Sequence, residues 1–167
     1  MHKINCHLVL VPKRGKTFIT YHLGETLANF GYKVLLIDFN LESQDLAELF
    51  SAKSQIEKSA LLADDEYFSL FTRSNSSMQL ISFQSGLTEA ELLQTFRNLL
   101  AKISPEFDYI LFDCASLMES ANYLLLQNLV DLNLHIIRKN YTLIEIEKLK
   151  NLSVSKENHK YLFNFAS

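Results

Sequence analysis

The chain has 167 residues, close to the roughly 150 of one ordinary domain, and its 48% hydrophobic and 21% charged residues exclude a disordered chain or a polyelectrolyte. A formal net charge of −3 offers no basic footprint for phosphate backbones, so generic nucleic-acid binding is not expected. No apolar run reaches the ~18 residues that cross a bilayer, and the first sixteen positions are interrupted by His7, Lys13 and Arg14, so neither a membrane span nor a signal peptide is expected.

In chain order, an apolar run over 4–11 predicts a strand. After a short basic turn, Ile19, His22, Leu23, Leu27 and Phe30 recur at a 3.6 period and predict a helix over 18–30, with Gly31 as its C′ cap. Residues 33–38 form a continuous apolar run ending in Asp38, the pattern of a strand buried on both faces. A brief amphipathic piece covers 44–50. The polar, Ser-rich stretch 51–77 offers only a possible helical turn over 64–71. A strand follows over 78–83, then a helix from Thr88 to about Ile103, with Glu91 completing a capping box. Pro105 breaks the chain before a second apolar run, 108–113, that ends in Asp113. Helix 119–129, strand 132–137, helix 142–152 and strand 161–165 complete the reading. This alternation implies right-handed crossovers and a three-layer, doubly wound α/β fold around a mostly parallel sheet, in a single domain over 1–167.

In such sheets ligands bind at the carboxyl ends of the strands. Three features meet there: the turn after the first strand, Asp38 and Asp113. That first turn carries Gly15, Lys16 and Thr17 at the mouth of a helix. In a P-loop, backbone N–H groups cradle phosphate, the lysine neutralises its outer oxygens and the hydroxyl binds Mg²⁺. The tripeptide alone is weak, since chance produces it in about one chain in ten of this length. Its place between a strand and a helix, followed by two strands ending in Asp, makes the assignment. For the two aspartates, capping of a helix remains the alternative to a role at phosphate.

The run Gly15, Lys16, Thr17, Phe18, Ile19, with Leu23, Leu27, Ala28, Gly31 and the 33–38 strand, resembles the deviant P-loop proteins of the MinD and ParA superfamily. Within it the chain is most similar to the bacterial tyrosine kinases (BY-kinases) attached to capsule and exopolysaccharide chain-length regulators. Residues 107–113 resemble the Walker B strand, Ile137, Arg138, Tyr141 and Thr142 the segment after the next strand, and Phe163 and Asn164 a strand end that meets the base.

The resemblance implies ATP and Mg²⁺ as cofactors, with Lys16, Asp38 and Asp113 as the catalytic set. It implies Thr17, Asp38 and Asp113 around the metal, and Lys13, Arg14, Gly15, Lys16, Thr17, Phe18 and Asn164 around the nucleotide. It further implies a cytoplasmic location at the inner face of the bacterial inner membrane, as part of a larger protein. The implied partners are a membrane-embedded chain-length regulator or polysaccharide export components, with a homo-oligomer possible and no nucleic acid.

The departures bear on activity. The chain has Leu10 where the phosphate loop has glycine, and Lys13 and Arg14 where these kinases have Gly-Glu. Asn40 stands for the second Walker A′ aspartate, Glu42 for an arginine and Ser116 for a proline. The whole chain holds only four glycines, where about 12 is usual, and a β-carbon at Lys13 costs ~1–2 kcal/mol if the glycine conformation is kept. Phosphoryl transfer rests almost wholly on positioned charge, so these changes weaken chemistry more than fold. The expectation is a regulatory domain with weak or no catalysis. The alternatives are an active tyrosine autokinase or ATPase and, less supported because Val11 holds the signature-lysine position, a ParA-type positioning ATPase.

The remaining residues carry less. Cys6 and Cys114 lie in apolar strands and act as small hydrophobes, which suits a reducing cytoplasm. His2, His7, His22, His135 and His159 are scattered over different elements without zinc spacing and are expected as core or surface residues. No G-x-S-x-G elbow supports a serine hydrolase. Tyr67, Phe68, Phe71 and Phe83 are expected in the core or an interface.

Overall fold

The computed structural model of the chain describes residues 6–8, 15–39, 45–52, 56–58, 68–73, 76–83, 97–114, 130–138, 142–144, 147 and 159–164. Its strands are β1 (Cys6–Leu8), β2 (Val34–Phe39), β3 (Ile56–Lys58), β4 (Phe68–Arg73), β5 (Met78–Phe83), β6 (Tyr109–Cys114), β7 (Leu132–Arg138) and β8 (His159–Asn164). Its helices are α1 (Lys16–Asn29), α2 (Asp45–Ala52) and α3 (97–103), the last running into a 3-10 turn at Ser104–Glu106. The strands hydrogen-bond in the orders β3-β4-β5-β2-β6 and β1-β7-β8, and β1 lies against β6. Pairing is parallel throughout β5-β2-β6 and β1-β7-β8, and antiparallel only where β3 and β4 extend the edge beyond β5. This is the expected α/β architecture.

The apolar run at 34–39 explains why β2 is central. It is buried along its whole length, because successive side chains serve opposite faces and nearly all are apolar. Val34 and Leu36 join Tyr21, Leu46, Phe50, Met78, Leu80 and Leu111 in one cluster that α1 and α2 cover. Leu35 and Ile37 take the other face and are equally buried. A reciprocal clamp sets the β2–β6 register at the far end from the site. The Lys33 amide donates to Asp108 Oδ2 (2.9 Å), and the Asp108 amide donates to the Lys33 carbonyl (2.8 Å).

α1 ends as expected. Gly31 has φ +89°, and its amide donates to the Ala28 carbonyl at 2.9 Å, so glycine takes the left-handed residue that closes the helix. The buried face of α1 agrees with the expected one at Ile19, Leu23 and Leu27, which are partly buried against the core, and departs from it at the other two positions. His22 is half-exposed and Phe30 is 76% exposed, while Thr20, Tyr21 and Gly24 are buried. The reason is Gly24, where an added Cβ would lie 2.7 Å from Leu36 Cδ2 and 3.1 Å from Met78 Sδ. Lacking a side chain there, the helix settles on the sheet along the Thr20–Gly24 line, which the periodicity of large apolar residues does not reveal.

Residues 68–71, expected in a helical turn, belong to strand β4, which pairs antiparallel with β5 and β3. The backbone ladder supplied by β5 decides this, and local propensity carries no information about that partner. The last strand begins at His159, two residues before the expected start. The helix expected over 88–103 is seen as α3, with Thr88 and Glu91 outside the described residues. Of the helix expected over 142–152, residues 143, 144 and 147 are helical and the others, apart from Thr142, lie outside the described residues. The helix expected over 119–129 lies wholly outside them. Among the described residues no helix is long and apolar enough to cross a membrane.

Candidate functional site

β2 and β6 end side by side. Because they pair in parallel from Val34 and Tyr109 onward, Asp38 falls opposite Asp113 in register. The two carboxylates read from sequence as strand-end residues are therefore direct neighbours. α1 begins over the same ends. Gly15, at φ +117°, turns the chain into the helix in a conformation that L side chains rarely adopt. The next two residues then reach β6.

The Thr17 hydroxyl donates to Asp113 Oδ2 at 2.6 Å, and Lys16 Nζ donates to the Cys114 carbonyl at 3.1 Å. Asp113 is 2% exposed, and its other oxygen, Oδ1, is buried with no hydrogen-bond partner. Burial pushes the Asp113 carboxyl up to about 6, against the Thr17 hydrogen bond and the Lys16 charge, which lower it, and with Asp45, which raises it. Beside it the Cys114 thiol is buried and held well above its ordinary range, first by desolvation and then by the Asp113 charge, so it is an inert thiol.

Asp38, 3% exposed, does something sequence reading raised only as an alternative. Its Oδ2 accepts from the Ala47 amide at 3.3 Å, near the start of α2. It thus partners one of the amide groups that a helix leaves unsatisfied in its first turn. The capping residue is nine positions before its partner, outside the range that a local capping pattern covers. Three contributors were missed in sequence: the Cys114 carbonyl, the Ala47 amide and the Asp45 charge. Only the acidic start of α2, Asp45 and Glu48, carried a signal.

The other expected site residues divide. Phe18 is 61% exposed and packs its ring on His22 (centroids 4.1 Å apart) along the outer face of α1. It does not join the Thr17–Asp113 pair. Asn164 is the last residue of β8, in register with Arg138 at the end of β7, and so shares the carboxyl edge of the sheet. Lys13 and Arg14, with Leu10, Asn40, Glu42 and Ser116, lie outside the described residues. Among the described residues no group of three His, Cys, Asp or Glu side chains is arranged to hold a metal. A hydroxyl and a carboxylate in contact, with one buried carboxylate oxygen unpartnered, are nevertheless the hard oxygen donors that suit a Mg²⁺ ion keeping most of its water.

A protein-family model described as an AAA domain matches residues 13–160. The chain belongs to this AAA-domain family. Tyrosine-protein kinase ptk of Acinetobacter johnsonii is 28% identical over 132 residues, covering 76% of this chain and 18% of that protein. The septum site-determining protein MinD of a Synechocystis strain is 30% identical over 112 residues, covering 64% of this chain and 42% of that one. Among solved structures, the kinase domain of the Escherichia coli tyrosine kinase ETK superposes with a TM-score of 0.75 at 22% identity, over 98% of this chain and 69% of that domain. The resemblance to MinD/ParA-type P-loop proteins and their tyrosine-kinase branch is borne out. The chain spans less than half the length of either curated relative.

Proposed function

We propose that this AAA-family domain binds Mg²⁺ and a nucleoside triphosphate, with ATP the expected one, and acts as a regulatory module of the bacterial tyrosine-kinase type with weak or lost phosphoryl transfer. The observation that carries the binding half is the Thr17–Asp113 contact of 2.6 Å at the mouth of α1, with Asp113 Oδ1 buried and unpartnered. Thr17 and Asp113 would hold the cation, and the adjacent Asp38 carboxylate adds negative charge to its hydration shell. Lys16 and the Gly15 turn would meet phosphate. Bound Mg²⁺ would neutralise developing charge on the outer phosphates.

The weak-catalysis half rests on charge. Lys16 is engaged with the Cys114 carbonyl and must leave it to reach phosphate. Asn40 removes one carboxylate, and Glu42 reverses the sign of an expected cation. A polysaccharide context, a membrane-embedded regulatory partner and a place at the inner membrane face belong to the same proposal and rest on the kinase resemblance. The register pairing of Asp38 with Asp113 favours a second reading, an active autokinase or ATPase.

Calorimetric titration with Mg·ATP and with ATP in EDTA, run beside a phosphotyrosine assay of the same preparation, tests the proposal. Metal-dependent binding without phosphotyrosine or steady phosphate release is expected. Tyrosine phosphorylation that disappears in Lys16→Ala overturns the weak-catalysis half. No binding at millimolar Mg·ATP overturns the proposal altogether.

A further inference from the structure

One hydroxyl beside the site is buried without a partner. Thr20 of α1 is fully buried, and its Oγ1 makes no hydrogen bond among the described residues. Burying a hydroxyl in this way costs free energy, and a helix offers a local remedy, donation to the carbonyl four residues back. Thr26 and Ser51 adopt it, donating to the His22 and Ala47 carbonyls at 2.7 and 2.8 Å. Thr20 does not, although it lies well inside α1.

Helix periodicity places that hydroxyl. Thr17, Thr20 and Gly24 are three and then four residues apart, so they form one stripe on α1. Thr17 is bonded to Asp113 of β6, and a Cβ on Gly24 would lie 3.6 Å from Leu111 Cδ1 of the same strand. Leu111 and Asp113, two apart, share the face of β6 that α1 covers. As the stripe runs from Thr17 to Gly24, β6 runs back from Asp113 to Leu111. Thr20 therefore lies one step beneath the Thr17–Asp113 contact. Asp113 Oδ1 lies there too, buried and unpartnered, while Oδ2 takes the Thr17 hydroxyl. An unpaired donor and an unpaired acceptor are enclosed in one layer.

Thr17 and Thr20, three apart on the helix, have Cβ atoms about 5–6 Å from each other. The two unpartnered oxygens do not bond one another directly. One water spans about 5.5 Å through two hydrogen bonds of about 2.8 Å each. A buried water needs at least two polar partners, and this pair supplies complementary ones: the hydroxyl donates to the water, and the water donates to the carboxylate.

We propose that Thr20 is a positioning residue for the cation site, holding Asp113 Oδ1 through a single enclosed water. This role presupposes the Mg·nucleotide reading of Thr17 and Asp113. With Oδ2 held by Thr17 and Oδ1 by the water, the carboxylate plane is fixed at both ends, and donation to it favours the charged form that a cation requires. Each carboxylate oxygen accepts twice, so Oδ1 keeps a lone pair for the water shell of the cation. Thr20 itself touches neither nucleotide nor metal.

Two measurements on the whole chain need no nucleotide. Water–protein Overhauser spectroscopy of the wild type should show a long-lived internal water beside the Thr20 methyl, and its absence overturns the proposal even where a variant fails to fold. Thr20→Val removes the hydroxyl and keeps the shape. Relief of an unpaired hydroxyl would raise its urea midpoint, whereas loss of a bridged one should lower it; an unchanged or higher midpoint in EDTA at pH 8 overturns the proposal. Calorimetric titration then reads the positioning role. Thr20→Val should weaken binding of Mg·ATP by about 10–100-fold, the usual effect of losing a group that orients a metal ligand, and leave binding of ATP in EDTA unchanged. Thr20→Ser, which keeps the hydroxyl, should retain wild-type binding of Mg·ATP. Equal losses with and without Mg²⁺, or equal losses in the two variants, overturn the positioning role. Should the wild type bind no Mg·ATP, the functional reading falls, and the Overhauser and urea measurements still decide whether Thr20 supports Asp113.

Discussion

Replacing Asp113 by Asn should make the domain more stable at neutral pH while removing Mg²⁺-dependent binding. The Asp113 carboxyl is raised from 3.8 to about 6, so the folded state holds its proton more tightly than the unfolded chain does. A group raised in this way adds nothing to stability at pH values below the unfolded pKa, and its ionisation costs stability progressively as pH rises from about 4 to about 6. Above that window the cost is complete. A shift of a little over two units, at 1.36 kcal/mol each, is worth about 3 kcal/mol.

In Asp113→Asn the amide oxygen can still accept from the Thr17 hydroxyl, and the buried charge is gone. The amide NH₂ then occupies the place of the unpartnered Oδ1 and returns about 1 kcal/mol of that gain. The expected net is about 2 kcal/mol at pH 8, or roughly 4–8 °C in Tm for a chain of this length. It should shrink through pH 6 and vanish or reverse below about pH 4, where wild-type Asp113 is neutral in both states. Urea unfolding of both proteins at pH 4, 6 and 8 in EDTA measures this. A difference that is the same at all three pH values, or a variant less stable at pH 8, would refute the account of Asp113 as a charge held in a site built for a cation.

Substitutions at two further positions probe how the site is held. Gly24→Val puts branched carbon where a single Cβ already comes within 2.7 Å of Leu36; a loss of about 2–3 kcal/mol in urea unfolding is expected, with α1 displaced and nucleotide binding weakened alongside. Asp38→Ala removes the acceptor for the Ala47 amide and should cost about 1 kcal/mol, with faster hydrogen exchange in the first turn of α2, whereas Asp38→Asn keeps an acceptor and should preserve that protection. Equal exchange in the two variants would show that the 3.3 Å contact holds nothing.

Strand β4 shows how far local reading goes: its strand character comes from its ladder with β5. On α1 the apolar period locates Ile19, Leu23 and Leu27 on the core side, but not the close seat at Gly24 that buries Thr20 and Tyr21. By contrast Gly15, Lys16 and Thr17 announce a helix mouth after a strand through their own conformational and charge properties, and β2 and β6 announce themselves as buried parallel strands by unbroken apolar runs.

The sequence by itself determined the order and type of most elements, the turn at Gly15, the cap at Gly31 and the presence of a carboxylate at the end of each central strand. These follow from backbone preferences and from the period of apolar residues, which act over a few positions. The tertiary structure decided that Asp38 stands beside Asp113, that Thr17 rather than Lys16 bonds Asp113, and that Asp38 reaches back to α2. Those outcomes depend on register and on the approach of one element to another. Register is set by contacts some 75 residues apart, such as the clamp between Lys33 and Asp108, and no local property of either segment specifies them.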